Sequence, residues 1–170
     1  MTLAEGNPAS PIRIVFYEDL QCGDCDTFRR MLDTTLLADF GALAAFEHRD
    51  FPLPKHNWAR SGAIAARHFS AVDSKLGIEF RRQTLAKRRQ IFAETLPGHI
   101  ALFAHAHGLD PGSAGADNPA FAAAVEADYQ EGVALGVVKT PTVFVHDGAP
   151  FTEIFTVEEI AKAIEKALQR

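Results

Sequence analysis

The hydrophobic pattern of the chain switches repeatedly between strand-like and helical, and this restricts the fold more than any other feature. Ile12, Ile14 and Phe16 alternate within a run of β-branched and aromatic residues, Ile12 to Tyr17, which predicts a strand. After a brief loop the period lengthens, and Cys25, Phe28, Met31, Leu32 and Leu36 recur at helical spacing. A second strand is expected over Ala44 to Phe51, closed by Phe51-Pro52-Leu53-Pro54. The middle is helical: Ala-rich from Asn57 to Val72, then charged and long from Ser74 to Leu96. The next helix, His99 to His107, is capped by Gly108 with Leu109 as hydrophobic follower. Asn118 and Pro119 read as N-cap and first position of a helix that turns Phe121, Val125 and Tyr129 to the core and ends near Gly136. The short period then returns in Pro141 to His146. Asp147-Gly148 signals a two-residue hairpin, with Phe151 to Phe155 as the returning strand. Thr156 and Glu159 form a capping-box pattern for a last helix, Val157 to Leu168. A β-α-β unit followed much later by β-β-α is one α/β domain, a central mixed sheet flanked by helices. It spans 11–56 and 137–170, with an all-helical insertion over 57–136.

Composition excludes some functions. A net charge of −5 argues against nucleic acid as a partner, because phosphate binding wants a basic surface. No apolar run approaches the roughly 18 residues of a membrane span. Met1 to Pro11 lacks the basic start and apolar stretch of a signal peptide, so the expectation is a cytoplasmic protein or one whose leader is absent from this chain.

The chain has two cysteines, Cys22 and Cys25, placed where the first strand gives way to the helix. A disulfide closing so small a loop removes little unfolded-state entropy and makes a poor staple. The same spacing suits chemistry: residues i and i+3 on a first helical turn share a face, and the helix N-terminus favours a thiolate on the first of them. Zinc is the rival reading. A structural site normally wants four ligands, and this chain has no second cysteine pair, while His105 and His107 cannot face the same way on a helix.

Three segments carry a family resemblance. Ile14-Val-Phe-Tyr-Glu-Asp-Leu-Gln-Cys-Gly-Asp-Cys25 resembles the active-site strand, loop and helix of DsbA-like proteins of the thioredoxin superfamily. Arg49-Asp-Phe-Pro-Leu-Pro54, with His56 and the Ala-rich helix after it, is similar to the segment entering their helical insertion. Leu135 to Gly148 resembles their Gly-x-x-x-Thr-Pro-Thr strand and hairpin. The resemblance implies a thioredoxin fold and a protein thiol–disulfide oxidoreductase, with Cys22 attacking and Cys25 resolving. It implies a cis bond between Thr140 and Pro141, whose loop holds substrate backbone. It implies no cofactor beyond the cysteine pair, unfolded or thiol-bearing proteins as substrates, a redox recycling partner, a monomer, and a periplasmic or otherwise extracytoplasmic location. Two other readings stay open, a glutathione-dependent transferase or isomerase on the same fold and a non-catalytic peptide-binding or chaperone module.

The pattern is departed from in two places. Many relatives carry a buried acid six residues before the first cysteine, where this chain has Phe16; Glu18 and Asp19 lie nearer and are candidates to move protons, or form a solvated loop. Between the cysteines stand Gly23 and Asp24, where strongly oxidising relatives carry Pro-His. Asp24, with Asp26, Glu18 and Asp19 around it, is expected to oppose a thiolate and leave the Cys22 pKa only modestly lowered. Arg81, Arg82, Lys87, Arg88 and Arg89 form a basic cluster expected to be a solvated helical face, with a docking patch for an acidic partner as the alternative. Trp58, the only tryptophan, and Phe69 are expected to pack in the helical block. His107 is expected at its boundary with a partner, and His56 at the surface or lining a groove.

Overall fold

The computed structural model describes residues 3–110, 112 and 118–170, so Met1 and Thr2 of the N-terminal stretch lie outside it. Five strands form one sheet: β1 (Leu3–Gly6), β2 (Arg13–Glu18), β3 (Ala45–Asp50), β4 (Thr142–Val145) and β5 (Phe151–Thr152), in the order β1-β3-β2-β4-β5. β2 and β3 run parallel, and the other pairings are antiparallel, with Ile14 opposite Phe46 and Val145. The helices are α1 (Gly23–Met31), α2 (Leu37–Phe40), α3 (Ala59–Val72), α4 (Ser74–Lys87), α5 (Leu96–Ala106), α6 (Pro119–Ala134) and α7 (Val157–Leu168).

The alternation of β2 builds two cores. Ile14 and Phe16 pack with Phe28, Leu32 and Leu36 from the active-helix side and with Ile160 and Ile164 of α7. Tyr17 points the other way, onto Phe51 and Val137. α6 closes over this second face at Gly132, where a Cβ would lie 2.7 Å from the Phe51 ring, so glycine alone lets the helix approach so closely. A further cluster joins Leu20, Cys22 and Cys25 to Trp58, Phe69, Phe80 and Phe103, so the insertion's helices are packed onto the cysteine pair itself.

Local signals decide where helices start and stop. Thr156 accepts from the Glu159 amide and the Glu159 carboxylate accepts from the Thr156 amide, a complete capping box at α7. Asn118 caps α6 through its side chain. α5 ends in a Schellman motif, with Leu109 N–H donating to the Ala104 carbonyl at 2.9 Å and Gly108 at φ +68°.

The structure corrects the sequence reading at five places. β1 is an edge strand that its sequence, Leu-Ala-Glu-Gly, does not announce. The helix after the cysteines is widened by a π-helical stretch, Leu32–Leu36, between α1 and α2. The charged helix stops at Lys87 instead of running to Leu96, and a new helix, α5, begins at Leu96 with Pro97 in its first turn, where a missing N–H costs no intrahelical bond. The tight turn after β4 is centred on His146 and Asp147, with Gly148 N–H donating to the Val145 carbonyl at 3.0 Å. It therefore lies one residue before the Asp147-Gly148 pair. β5 stops at Thr152, since Glu153 adopts φ +61° and leaves the ladder.

Candidate functional site

The two cysteines sit where β2 ends and α1 begins. Cys22 is the N-cap of α1, in extended conformation, and Cys25 lies one turn on. Both are free thiols. Cys22 retains 7% of its surface while Cys25 is fully buried. The Asp19 amide donates to Cys25 Sγ at 3.4 Å, and the Cys22 thiol donates to the Thr140 carbonyl at 3.3 Å. The Thr140–Pro141 peptide bond is cis, and the Glu153 amide donates to the Pro141 carbonyl at 2.9 Å. Val138 and Ile154, 73% and 89% exposed, flank this loop with apolar surface.

The environment separates the thiols. A hydrogen bond from the Cys25 thiol lowers the Cys22 pKa to about 6, helped by Thr140 and by the Cys25 and Asp24 amides, against the opposing effect of burial. Burial pushes Cys25 well above the ordinary thiol value, and its bond to Cys22 and the Cys22 charge add to this. The Thr140 hydroxyl is buried and has no hydrogen-bond partner among the described residues. As a thiol Cys22 donates to the Thr140 carbonyl; as a thiolate it must accept, and this hydroxyl is available to donate. The arrangement offers one accessible, stabilised thiolate and one shielded thiol behind it.

The lowering of the Cys22 pKa to about 6 is therefore larger than the modest one expected from the sequence. Asp24 is exposed to water, which screens its charge. Asp26 is paired with Arg30 and with Arg88 at 2.5 Å. Glu18 Oε1 accepts from His48 Nδ1 at 2.8 Å and Arg81 Nη1 at 2.9 Å. Asp19 accepts from the Gln21 and Leu53 amides and meets His56 Nδ1, each at 2.7 Å. Three of the four acids that were expected to repel a thiolate are compensated by neighbours.

Neither Glu18 nor Asp19 belongs to a solvated loop, since they are 2% and 1% exposed. His48 and Arg81 hold the Glu18 carboxyl below its ordinary pKa, overcoming burial. Burial raises Asp19. Its partner His56, partly exposed, connects it to the surface. The reading of Arg81 as part of a solvated face is also corrected: it is 1% exposed and bridges Glu18 to Asp50, with Nη2 2.7 Å from Asp50 Oδ1. Asp50 is also held by Arg67 Nε at 2.6 Å, and His48 Nε2 reaches Glu5 at 2.9 Å. Sequence reasoning missed this buried network of Glu5, Glu18, His48, Asp50, Arg67 and Arg81 behind the cysteines. The available signal was Arg81 itself, in register with Ile78 and Leu85 on one face of α4. Trp58 and Phe69 pack as expected, and His107 lies against the Phe103 ring with Glu79 at 3.6 Å.

Among the described residues, no group of three or more His, Cys, Asp or Glu side chains is gathered as a metal site. No helix there is long and apolar enough to cross a membrane.

The sequence model of the thioredoxin family matches residues 1–166, and the chain belongs to that family. Its fold is shared with BdbD of Bacillus subtilis in the oxidised form, at TM-score 0.87 and 22% identity over 99% of this chain and 94% of that one. The thiol–disulfide exchange protein α-DsbA2 of Wolbachia pipientis superposes at TM-score 0.82 with 18% identity, covering 98% and 87% of the two chains. The catalytic domain of Proteus mirabilis ScsC gives 0.81 at 13% identity, over 99% and 90%. At these identities the likeness is one of fold. No curated protein sequence matches the chain.

Proposed function

We propose that the chain is a DsbA-like protein thiol–disulfide oxidoreductase working through its Cys-Gly-Asp-Cys pair. The observation that carries this reading is the division between a 7%-exposed Cys22 with pKa about 6 and a fully buried Cys25 with a raised one. In the oxidising direction a substrate thiolate attacks Cys22 Sγ of the Cys22–Cys25 disulfide. The S–S bond breaks, and its electron pair leaves on Cys25, which takes up a proton. A second substrate thiolate then attacks the substrate sulfur of the mixed disulfide, and Cys22 departs as the thiolate that its surroundings stabilise. In the reducing direction the Cys22 thiolate attacks a substrate disulfide, and Cys25 resolves the product by attack on Cys22. The Thr140–Pro141 loop and the apolar surface of Val138 and Ile154 serve as the substrate rest beside Cys22. A partner must recycle the pair, and an extracytoplasmic compartment suits such chemistry.

The test is a peptide carrying two cysteines. Oxidised protein should convert it to its disulfide while the Cys22–Cys25 pair becomes reduced in equal amount, with Trp58 emission as readout because that ring shares a cluster with both thiols. Equilibrated against glutathione, the pair should have a potential between the about −270 mV of thioredoxin and about −120 mV of DsbA, as a pKa between theirs implies. No exchange with the peptide in either direction would contradict the proposal.

A further inference from the structure

A recess of about 380 Å³ opens beside the residues that flank Cys22, lined by Gln21, Gly23, Trp58, Arg88, Arg89 and Phe92. Its charge runs against that of the chain, which is −5 overall. Arg88 is fixed at one end: Nη1 donates to Asp26 at 2.5 Å and to the Leu85 carbonyl at 3.1 Å. The other edge of its guanidinium faces the recess, with Nη2 and Nε at 3.6 and 3.8 Å from where a Gly23 Cβ would stand. Among the described residues neither of those nitrogens has a hydrogen-bond partner, and the two form the parallel pair that a carboxylate accepts in bidentate fashion. Arg89 beside it is exposed, and Phe92, 59% exposed, supplies an apolar rim. Gly23 keeps the space between Cys22 and this edge open.

We infer that the recess selects substrates: it takes the carboxylate of an aspartate or glutamate lying close in sequence to the reacting cysteine of a peptide. The inference rests on the oxidoreductase reading and names the substrate class of that same site. The carboxylate seats on Arg88 Nη2 and Nε, Arg89 adds attraction at the mouth, and the peptide's cysteine meets Cys22 Sγ next to it. The exchange step itself is unchanged.

The experiment compares three cysteine peptides that differ only in the residues flanking the cysteine: two aspartates, two serines or two lysines. Each rate with oxidised protein is divided by that peptide's rate with 2-hydroxyethyl disulfide, which removes the effect of flanking charge on thiol reactivity. At low salt the acidic peptide should exceed the neutral one by roughly fivefold to tenfold, and the basic peptide should fall below it. At about 1 M salt, where the Debye length is about 3 Å, most of the difference should vanish. Arg88→Gln should remove the acidic preference, and Arg89→Glu should invert the order of the acidic and basic peptides. Equal normalised rates for all three peptides at low salt, with the neutral peptide reacting, would overturn the inference and leave the oxidoreductase reading intact. Failure of the neutral peptide to react at all would instead count against that reading. An Arg88-dependent preference for glutathione without one for the acidic peptide would assign the recess to a small thiol and also overturn the peptide inference.

Discussion

Replacing Cys22 by serine is expected to reduce disulfide exchange by more than roughly a hundredfold, to the background rate, while Cys25→Ser should stop the reaction halfway. Cys22 is the thiol with residual exposure and the lowered pKa, so it supplies both the nucleophile and the good leaving group. Cys25 is fully buried behind it and acts only on Cys22. In Cys25→Ser a substrate joined to Cys22 has no second protein thiol to release it, and the mixed disulfide should accumulate. Mass spectrometry after quenching in acid reads the adduct directly, on Cys25→Ser and not on Cys22→Ser. Adducts on both variants in equal yield, or equal alkylation rates for the two thiols near neutral pH, would contradict the assignment. A glutathione-dependent transferase would behave differently, retaining conjugation of glutathione in Cys25→Ser.

The second large effect is expected at Arg81. Its guanidinium bridges two buried carboxylates, Glu18 and Asp50, and is 1% exposed. Burying such ions is costly, and their attraction offsets the cost only while every partner is present. Arg81→Met leaves two carboxylates facing each other without their bridging cation, His48 and Arg67 remaining as the other partners. The expected loss is about 3–5 kcal/mol, the usual cost of breaking a buried ion pair from one side. Urea denaturation checks it: at an m-value of about 1–3 kcal/mol/M, the midpoint should fall by about 1 M or more. Removing the acids as well, in Glu18→Gln/Asp50→Asn/Arg81→Met, should recover part of the loss, since no charge is then stranded. A shift smaller than about 1 kcal/mol for Arg81→Met would show that water reaches the network.

What could be read from the sequence was what is encoded locally. The capping box at Thr156 and Glu159, the Asn118 cap and the Gly108-Leu109 stop each involve groups a few residues apart, and each is found where the sequence puts it. The Cys-x-x-Cys pair at the strand-to-helix junction belongs to the same kind. What was hidden is non-local. Arg81 finds its partners 63 and 31 residues away, so a basic run on α4 looked solvated although one member of it is core. β1 is held by pairing with β3, and Leu-Ala-Glu-Gly carries no pattern of its own. The misjudged Cys22 pKa has the same origin: the acids around it are plain in the sequence, while the arginine and histidines that pair or hydrogen-bond with them come from other elements. Charge near a site is not charge on a site.

The central claim is that the fold stabilises a thiolate at Cys22. The most direct test is a pH titration of thiolate absorbance near 240 nm in the reduced protein. A single-thiol transition near pH 6 is expected, lost in Cys22→Ser, with the second thiol titrating far above it. A first transition at pH 8.5 or higher, about the value of a free cysteine, would contradict it.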